Sequence, residues 1–115
     1  MKKLETKCAR VKIKDGYLDK AYEWAKELNS RSEEVYQTLR DENVYIESVF
    51  LEKTSEGNFL IYFMKVKNSQ EARTVADKSK HPIDEYHQKM MKEITEKGEK
   101  LEILIDFDRL EELSL

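Results

Sequence analysis

A long β-hairpin is the feature that most constrains the fold of this chain. Residues 44–66, VYIESVFLEKTSEGNFLIYFMKV, contain two runs rich in β-branched and aromatic residues around a turn that includes Gly57-Asn58. This pattern is typical of two antiparallel strands. With residues 55–58 as the loop, apolar side chains face one another across the hairpin. The expected pairs are Thr54 with Phe59, Leu51 with Tyr62, Phe50 with Phe63 and Val49 with Met64.

Before the hairpin, one strand and two helical pieces are predicted. Residues 7–14 alternate between two sets of side chains, which predicts a strand that ends at Asp15-Gly16. An amphipathic stripe over residues 18–28 predicts a helix. Ser32 can cap a second helical piece, which continues toward the hairpin.

After the hairpin, the pattern predicts two more helical pieces and a last strand. The helices are expected at residues 69–80 and at about residues 84–97, with Gly98 closing the second. Residues 100–107, KLEILIDF, alternate and predict the fourth strand. Its alternating apolar residues are Leu101, Ile103, Ile105 and Phe107.

The order of elements is β-α-β-β-α-β, with each helix interrupted once. Right-handed crossovers turn this order into an α+β, ferredoxin-like fold, in which helices cover one face of a four-stranded antiparallel sheet. A chain of 115 residues is long enough for one hydrophobic core and too short for two. Residues 1–115 are therefore predicted to form a single domain.

The other sheet face then needs an explanation. The side chains expected to face the helices are Ala9, Val11, Ile13, Ile46, Phe50, Ile61 and Phe63. Those left on the opposite face are Leu60, Tyr62, Met64, Val49, Leu51 and Leu104. So large an apolar face is not expected to remain in water, which predicts a homodimer of two sheets packed face to face. The alternative is a scattered amphipathic surface, since Arg10, Glu47, Glu102 and Asp106 are interspersed there.

Composition narrows the classes of partner and the location. The net charge of −3 and the pI near 5.5 argue against nucleic acid, because phosphate binding needs a basic face. A lone Cys8 cannot form an internal disulfide, so a reducing compartment is expected. No apolar run is long enough to cross a bilayer, and residues 1–7 lack an apolar signal core. We therefore expect a cytoplasmic protein with no membrane partner.

Four stretches together resemble one known family. They are ARVKIKDG near the start, RDENVYIESVFLE before the hairpin turn, FLIYFMKV after it and HPIDEYH on the last helix. The chain is similar, from about Cys8 to Glu93, to an uncharacterised bacterial domain-of-unknown-function family of the dimeric α/β-barrel group. Relatives with that fold include antibiotic-biosynthesis monooxygenases, haem-degrading enzymes and sugar mutarotases. The resemblance implies a ligand cavity between the sheet and the helices of each subunit, but no particular reaction.

His87 is the leading candidate for chemistry. On a helix it falls in the apolar stripe between Ile83 and Met90, so it is expected to point inward. Asp84, three residues earlier, could hydrogen-bond the imidazole and fix its tautomer. The alternative is a core histidine satisfied by a neighbour, with Asp84 acting as a helix cap.

A small ligand site is predicted around His87. Ser48 is the one polar residue among the hairpin side chains expected to face the helices. Polar groups on apposed apolar surfaces are typical of ligand pockets. Trp24 and Tyr22 could supply a wall, and His81 could lie at the mouth. With the hairpin facing the other way, Ser48 would not belong to this site.

No metal and no cofactor is expected. His81, Asp84 and His87 are acceptable ligand types, but a proline-fixed loop and a six-residue gap match no known ligand spacing. No third histidine is present to serve as an axial haem ligand if these two have other roles.

A second group of polar residues is expected at the sheet face that forms the dimer. Its members are Arg10, Glu47, Tyr62 and Asp106. They could bind an anionic or sugar-like ligand, but such charges more often form pairs across an interface. Cys8 is not at a helix N-terminus and is interpreted as a structural thiol.

Three functions remain open from the sequence. The first is a protein that binds a small apolar or mixed-polarity ligand in the pocket. The second is a cofactor-independent enzyme, monooxygenase-like or isomerase-like, in which His87 oriented by Asp84 carries a proton. The third is a structural or partner-binding module with no ligand.

Overall fold

Four antiparallel strands form one sheet, and the helices cover one side of it. The computed structural model describes residues 4–113. The strands are β1 (Glu5–Ile13), β2 (Val44–Thr54), β3 (Gly57–Val66) and β4 (Thr95–Lys100). The helices are α1 (Leu18–Ser30), α2 (Ser32–Glu42), α3 (Ser69–Lys78) and α4 (Pro82–Ile94), followed by a short 3-10 helix (Leu110–Leu113).

The strand order is β2-β3-β1-β4, which places the first strand in the middle and the last one at an edge. This order and the β-α-β-β-α-β sequence of elements confirm the predicted ferredoxin-like fold. The predicted domain spans residues 1–115, of which residues 1–3, 114 and 115 lie outside the described part of the chain.

Local sequence sets where several helices begin and end. The side chain of Asn68 accepts a hydrogen bond from the Glu71 amide at 2.8 Å and caps the start of α3. Asn43 ends α2 in the left-handed conformation, with φ of 55°, which asparagine tolerates better than most residues. Pro82 occupies the first turn of α4, where its missing N–H costs no hydrogen bond.

The predicted pairing within the hairpin is wrong by two residues. Thr54 pairs with Gly57, so the loop consists of Ser55 and Glu56 alone. Gly57 adopts φ of 135°, a conformation that glycine accepts without strain and that permits the tighter turn. The Thr54 hydroxyl donates to the Gly57 carbonyl oxygen at 2.7 Å and closes the loop.

The predicted facing of the hairpin is also wrong. In the sheet, Val11 pairs with Leu60 and Ala9 with Tyr62. Directly paired residues share a face of the sheet. The hairpin residues that pair with Ala9 and Val11 therefore point toward the helices, as Ala9 and Val11 do. The hairpin residues on the helix side are therefore Glu47, Val49, Leu51, Leu60, Tyr62 and Met64.

The opposite sheet surface, here called the open face, carries the other set of side chains. It includes Cys8 and Arg10 from β1 as expected. The hairpin residues that the prediction had placed against the helices and that instead belong to the open face are Ile46, Ser48, Phe50, Ile61 and Phe63.

The last strand lies earlier in the chain than predicted. Helix α4 ends at Ile94, and the very polar β4 (TEKGEK) follows directly and pairs with β1. Gly98 does not close a helix. It lies against Val11, and a Cβ atom there would approach Val11 Cγ2 to 2.8 Å, so the strand pairing depends on its missing side chain.

Residues 101–107, predicted as the fourth strand, have no regular secondary structure and belong to none of the four strands. Several of their apolar side chains are exposed, including Leu104 at 85% and Phe107 at 91%. The segment is held at the open face by Lys65, which is 4% exposed. The Lys65 ammonium donates to Asp106 Oδ1 at 2.8 Å and to Asp108 Oδ2 at 2.6 Å.

The hydrophobic core lies between the helices and the sheet in two clusters. The larger contains Ile13, Ala21, Trp24, Leu60, Met90 and Ile94. The smaller contains Val44, Val66 and Ala72. Within residues 4–113, none of the helices has the length and apolar character that crossing a membrane requires.

Candidate functional site

Two adjoining cavities lie between the sheet and its helices. The first, called the apolar cavity, has a volume of about 360 Å³ and opens between α1, α2 and the hairpin. Aromatic and aliphatic side chains dominate its walls. Among them are Tyr22, Trp24, Ala25, Tyr36, Val49 and Leu60.

The second, called the polar cavity, has a volume of about 500 Å³ and extends toward α3 and α4. Titratable side chains gather in it. Among them are Glu42, Glu47, Tyr62, Arg73, Asp84 and His87. Leu39 and Glu47 line both cavities, so the apolar and polar spaces adjoin at these two residues.

His87 is held by Trp24. The indole N–H of Trp24 donates to His87 Nδ1 at 3.0 Å, and the two rings stack with centroids 5.7 Å apart. An indole N–H can only donate, so Nδ1 must be unprotonated and a neutral imidazole carries its proton on Nε2. Burial lowers the pKa of His87, although the negative charge of Asp84 acts in the opposite direction. The ring therefore stays neutral near pH 7 and offers Nε2–H as a hydrogen-bond donor.

Glu47 is the one acidic side chain that the hairpin turns toward the helices. Solvent reaches it through the two cavities, but the surrounding protein atoms still raise the pKa of its carboxyl group. The negative charge of Asp84 raises that pKa further. A carboxyl group with a raised pKa can exchange a proton near neutral pH more readily than an ordinary glutamate can.

Tyr62 lines the polar cavity together with Glu47 and packs against the larger core cluster. Its hydroxyl group donates to Met91 Sδ at 3.1 Å, and its ring lies 6.4 Å from that of Trp24. Burial, and then the charge of Glu47, raise the pKa of Tyr62 well above its ordinary value. Tyr62 therefore stays neutral and acts as a wall with a polar tip.

Glu42 has a carboxyl group whose pKa is strongly raised. Burial first, and then the charges of Asp84, Glu47 and Asp41, raise its pKa to about 7. Glu42 is the last residue of α2, where the negative end of the helix dipole also disfavours a negative charge.

This shift predicts a dependence of stability on pH. The pKa of Glu42 is raised from its ordinary value of 4.5, which applies to the unfolded chain, to about 7 in the folded protein. Between those values the folded state holds more protons than the unfolded state, so stability falls as pH rises and levels off above pH 7. Removing the charge with Glu42→Gln is therefore expected to stabilise the protein by about 1 kcal/mol at pH 8, after allowance for partial exposure.

The measurement is thermal unfolding of wild type and Glu42→Gln from pH 4.5 to pH 8. The difference in Tm should grow across this range and be smallest at its acid end. Glu56→Gln, in the exposed hairpin loop, is the matched control and should show no such trend. Parallel curves for Glu42→Gln and wild type would contradict the assignment.

The structure brings four of the sequence-predicted residues to these cavities and separates others from them. Trp24 and Tyr22 line the apolar cavity. His87 and Asp84 line the polar cavity. Their ligand-binding and catalytic roles stay predictions.

The partner expected for His87 is wrong. Asp84 accepts a hydrogen bond from the Ser79 hydroxyl, and it is Trp24 that bonds to the imidazole. Helix α4 begins at Pro82, so Asp84 lies in its first turn and turns back toward the residues before the helix.

Two other residues expected at the site line neither the apolar cavity nor the polar cavity. Ser48 pairs with Phe63 on the open face, because the hairpin faces the other way. His81 Nε2 lies 2.8 Å from Asp41 Oδ2, and both residues line a separate cleft between α2 and the start of α4.

The group expected at the dimer-forming face divides in two. Arg10 is on the open face, where its Nε donates to Glu52 at 2.9 Å and its guanidinium lies over the Phe59 ring. Asp106 also reaches that side and binds Lys65. Glu47 and Tyr62 are on the helix side, so their assignment to the dimer-forming face is wrong.

Sequence reasoning missed Glu42 and misplaced Glu47. Glu47 is the lone acidic residue of the mostly apolar run VYIESVF. This position was the available signal. Pairing the hairpin with β1 in the correct register would have turned Glu47 toward the helices. The pKa of Glu42 is raised by burial first and then by charges that include Asp84 of α4, and no local pattern reveals such a contact. Among residues 4–113, no group of three or more His, Cys, Asp or Glu side chains is arranged to hold a metal ion.

The fold and the cavities define a small α+β protein of ferredoxin-like fold with a mixed apolar and acidic pocket under its helices. The chain belongs to a family of unknown function, DUF6176, whose model matches residues 4–112. This confirms the part of the predicted resemblance that placed it in a domain-of-unknown-function family.

A solved structure shares this fold. It is that of a conserved protein of unknown function from Bacteroides thetaiotaomicron VPI-5482, described as a possible oxidoreductase. The two are 23% identical with a TM-score of 0.56, over 90% of this chain and 100% of that one. At this identity the likeness extends to the fold alone. No curated protein matches the chain.

Proposed function

We propose that this protein binds a small organic molecule of mixed polarity in the joined cavities between sheet and helices. The observation that carries this proposal is the meeting of an apolar space and a polar space at Glu47. The volume of the apolar cavity, about 360 Å³, falls in the range of small-molecule sites, which combine apolar walls with a few convergent polar groups.

The walls indicate what kind of molecule fits. Tyr22, Trp24 and Tyr36 surround the apolar cavity and favour a flat, ring-like body through aromatic contact. The polar end of the ligand would lie at the His87 Nε2–H group and the Glu47 carboxyl group. A hydroxyl or carbonyl oxygen suits the N–H donor.

Filling the apolar cavity tests this function. Ala25 lines the cavity from α1, and Ala25→Phe is expected to fill its space and to lower affinity for an aromatic probe such as naphthol by at least about tenfold. Binding is measured by ligand-observed NMR. Lys26→Phe adds the same ring at the exposed neighbouring position and should bind like wild type. Failure of wild type to bind, or equal binding by Ala25→Phe, would contradict the proposal.

A second candidate function is a cofactor-independent enzyme that uses the same cavities. It is favoured by a neutral histidine with a free N–H and a carboxyl group of raised pKa that line one space. The predicted roles change accordingly: Trp24 replaces Asp84 as the group that orients His87, and Glu47 takes over as proton carrier. The phrase "possible oxidoreductase" describes the Bacteroides protein and suggests no particular substrate for this one.

We also propose that two copies pack through their open faces, as in the dimeric α/β barrels that the chain resembles. Several charges on this face are paired within one chain, Arg10 with Glu52 and Lys65 with Asp106 and Asp108, and Lys12 and Glu99 also lie there. What remains is largely apolar and suits a second copy of itself. Four strands of 6 to 11 residues cover roughly 600 Å² at ordinary strand spacing, close to what one partner contributes to a stable interface.

Sedimentation velocity over a concentration series tests the dimer. Wild type is expected to be dimeric, and Ile61→Lys, in the centre of the open face, should be monomeric because it buries an unpaired charge in the interface. Tyr36→Lys, in α2 on the helix side of the sheet and therefore away from the open face, is the control and should remain dimeric. A monomeric wild type would contradict the proposed dimer and would favour a structural or partner-binding module that does not pair with a second copy of itself. The predicted cytoplasmic location rests on the lone Cys8 and stays a prediction.

A further inference from the structure

We infer that the protein catalyses proton transfer at the carbon next to a carbonyl group, in a small ketone with an aromatic or similarly apolar body. In this reaction Glu47 moves the proton and His87 Nε2–H holds the carbonyl oxygen. The inference rests on the proposed ligand site and names its substrate class and chemistry.

The role of His87 follows from its hydrogen bond. Its Nδ1 lone pair is occupied by the Trp24 indole N–H at 3.0 Å, so the ring has no free lone pair with which to remove a proton. Its Nε2–H makes no hydrogen bond to any residue among 4–113, and the residue lines the polar cavity. Such a fixed neutral N–H stabilises negative charge that develops on an oxygen atom.

Glu47 is the group best placed to take the proton. It lines the same cavity as His87 and also borders the apolar cavity, where the body of the ligand would lie. Tyr62 is engaged with Met91. Asp84 accepts a hydrogen bond from Ser79 and does not line the apolar cavity. Carboxylates in apolar surroundings are effective bases for weakly acidic C–H groups.

The steps balance without an added reagent. The Glu47 carboxylate takes a proton from the carbon next to the carbonyl group, and the C–H electron pair forms a carbon–carbon double bond. The carbonyl π pair moves to oxygen, and His87 Nε2–H donates a hydrogen bond to that oxygen. Glu47 then returns the proton to the same carbon, which gives exchange with solvent, or to a conjugated carbon, which gives an isomer.

The test is exchange of phenylacetone protons in D₂O, followed by ¹H NMR, with ligand-observed NMR for binding in the same samples. Wild type is expected to accelerate loss of the α-proton signals above the buffer rate. Glu47→Gln should lower this catalysed rate by at least about 100-fold while phenylacetone still binds. His87→Ala should lower it about 100-fold, and His87→Gln, which keeps an N–H donor, should recover part of the loss. Glu56→Gln, in the exposed hairpin loop, should match wild type.

The pH profile separates a proton carrier from a structural role. The catalysed rate should rise with pH and level off above the pKa of Glu47, which lies above its ordinary value. The titratable and charged groups that share this cavity with Glu47 are Glu42 from α2, Tyr62 from β3, Arg73 and Asp77 from α3, and Asp84, His87 and Lys92 from α4. Glu42→Gln, which removes one of these charges, should shift the profile without abolishing exchange.

Each outcome is decisive. Exchange at the buffer rate in wild type, with phenylacetone bound, would overturn the inference and leave the proposed binding function standing. Undiminished exchange in Glu47→Gln would also overturn it. If neither phenylacetone nor naphthol binds, the proposed function fails as well.

Discussion

Replacing Lys65 with methionine is expected to lower the free energy of unfolding by about 2–3 kcal/mol. Lys65 is buried, and its ammonium group binds Asp106 and Asp108. Burial by itself lowers the pKa of Lys65, but the hydrogen bonds to the two aspartates outweigh it and leave that pKa raised. Methionine keeps the stem of the side chain but removes the ammonium group that both carboxylates bind. Because those carboxylates are about one-fifth exposed, the expected cost is below that of a fully buried pair.

Urea unfolding measures this loss, and hydrogen exchange locates it. Exchange should accelerate at residues 101–108, which Lys65 holds against the sheet. Lys20→Met removes a cation of the same type from an exposed pair with Glu93 and should cost much less, because solvent screens an exposed ion pair. Equal losses in the two variants would show that Lys65 is not the anchor of this segment.

The second large effect is expected at Ile94. Ile94→Ala should lower the free energy of unfolding by about 3 kcal/mol, because it removes buried methyl groups and leaves a cavity. Ile94 is fully buried in the larger core cluster. It is also the point where α4 passes directly into β4, and its carbonyl oxygen accepts a hydrogen bond from the Lys14 amide at 2.8 Å.

The comparison for Ile94→Ala is Val75→Ala, on an exposed position of α3. There, alanine is a better helix former than valine and little surface is lost, so stability should change by less than about 0.5 kcal/mol. Thermal unfolding of the two variants at one pH gives the difference. A small effect at Ile94 would mean that the α4–β4 junction can move to fill the space.

The order of elements could be predicted because each has its own local pattern. The alternation of β1, the stripe on α1 and the turn at Gly57 all identify elements that the structure contains. The exception is β4, whose sequence TEKGEK has no apolar alternation. An edge strand of this kind is determined by its pairing with β1 and by the close approach of Gly98 to Val11, both of which are long-range contacts.

The facing of the hairpin could not be read from the hairpin itself. Both of its faces are apolar, so binary patterning does not decide which one meets the helices. The decision comes from the register with β1, which sets Leu60 opposite Val11. This one contact moves Ser48 out of the predicted pocket and moves Glu47 into it.

The candidate site was predictable in part for the same reason. Helical phasing alone places His87 and Trp24 on the inner sides of α4 and α1, and both line the cavities. Their mutual hydrogen bond depends on how α1 packs against α4, over 63 residues of chain. That contact, and not the nearby Asp84, decides the tautomer of the histidine.

The exposed segment LEILIDF, residues 101–107, has a consequence for handling the protein. A short run of high β-propensity, with apolar side chains in solvent and only Glu102 and Asp106 as charged residues, resembles sequences that aggregate. Asp106 keeps the segment on its own sheet because it is bound to Lys65. Low pH, which protonates aspartate, should therefore promote fibrils or precipitation before the rest of the fold is lost.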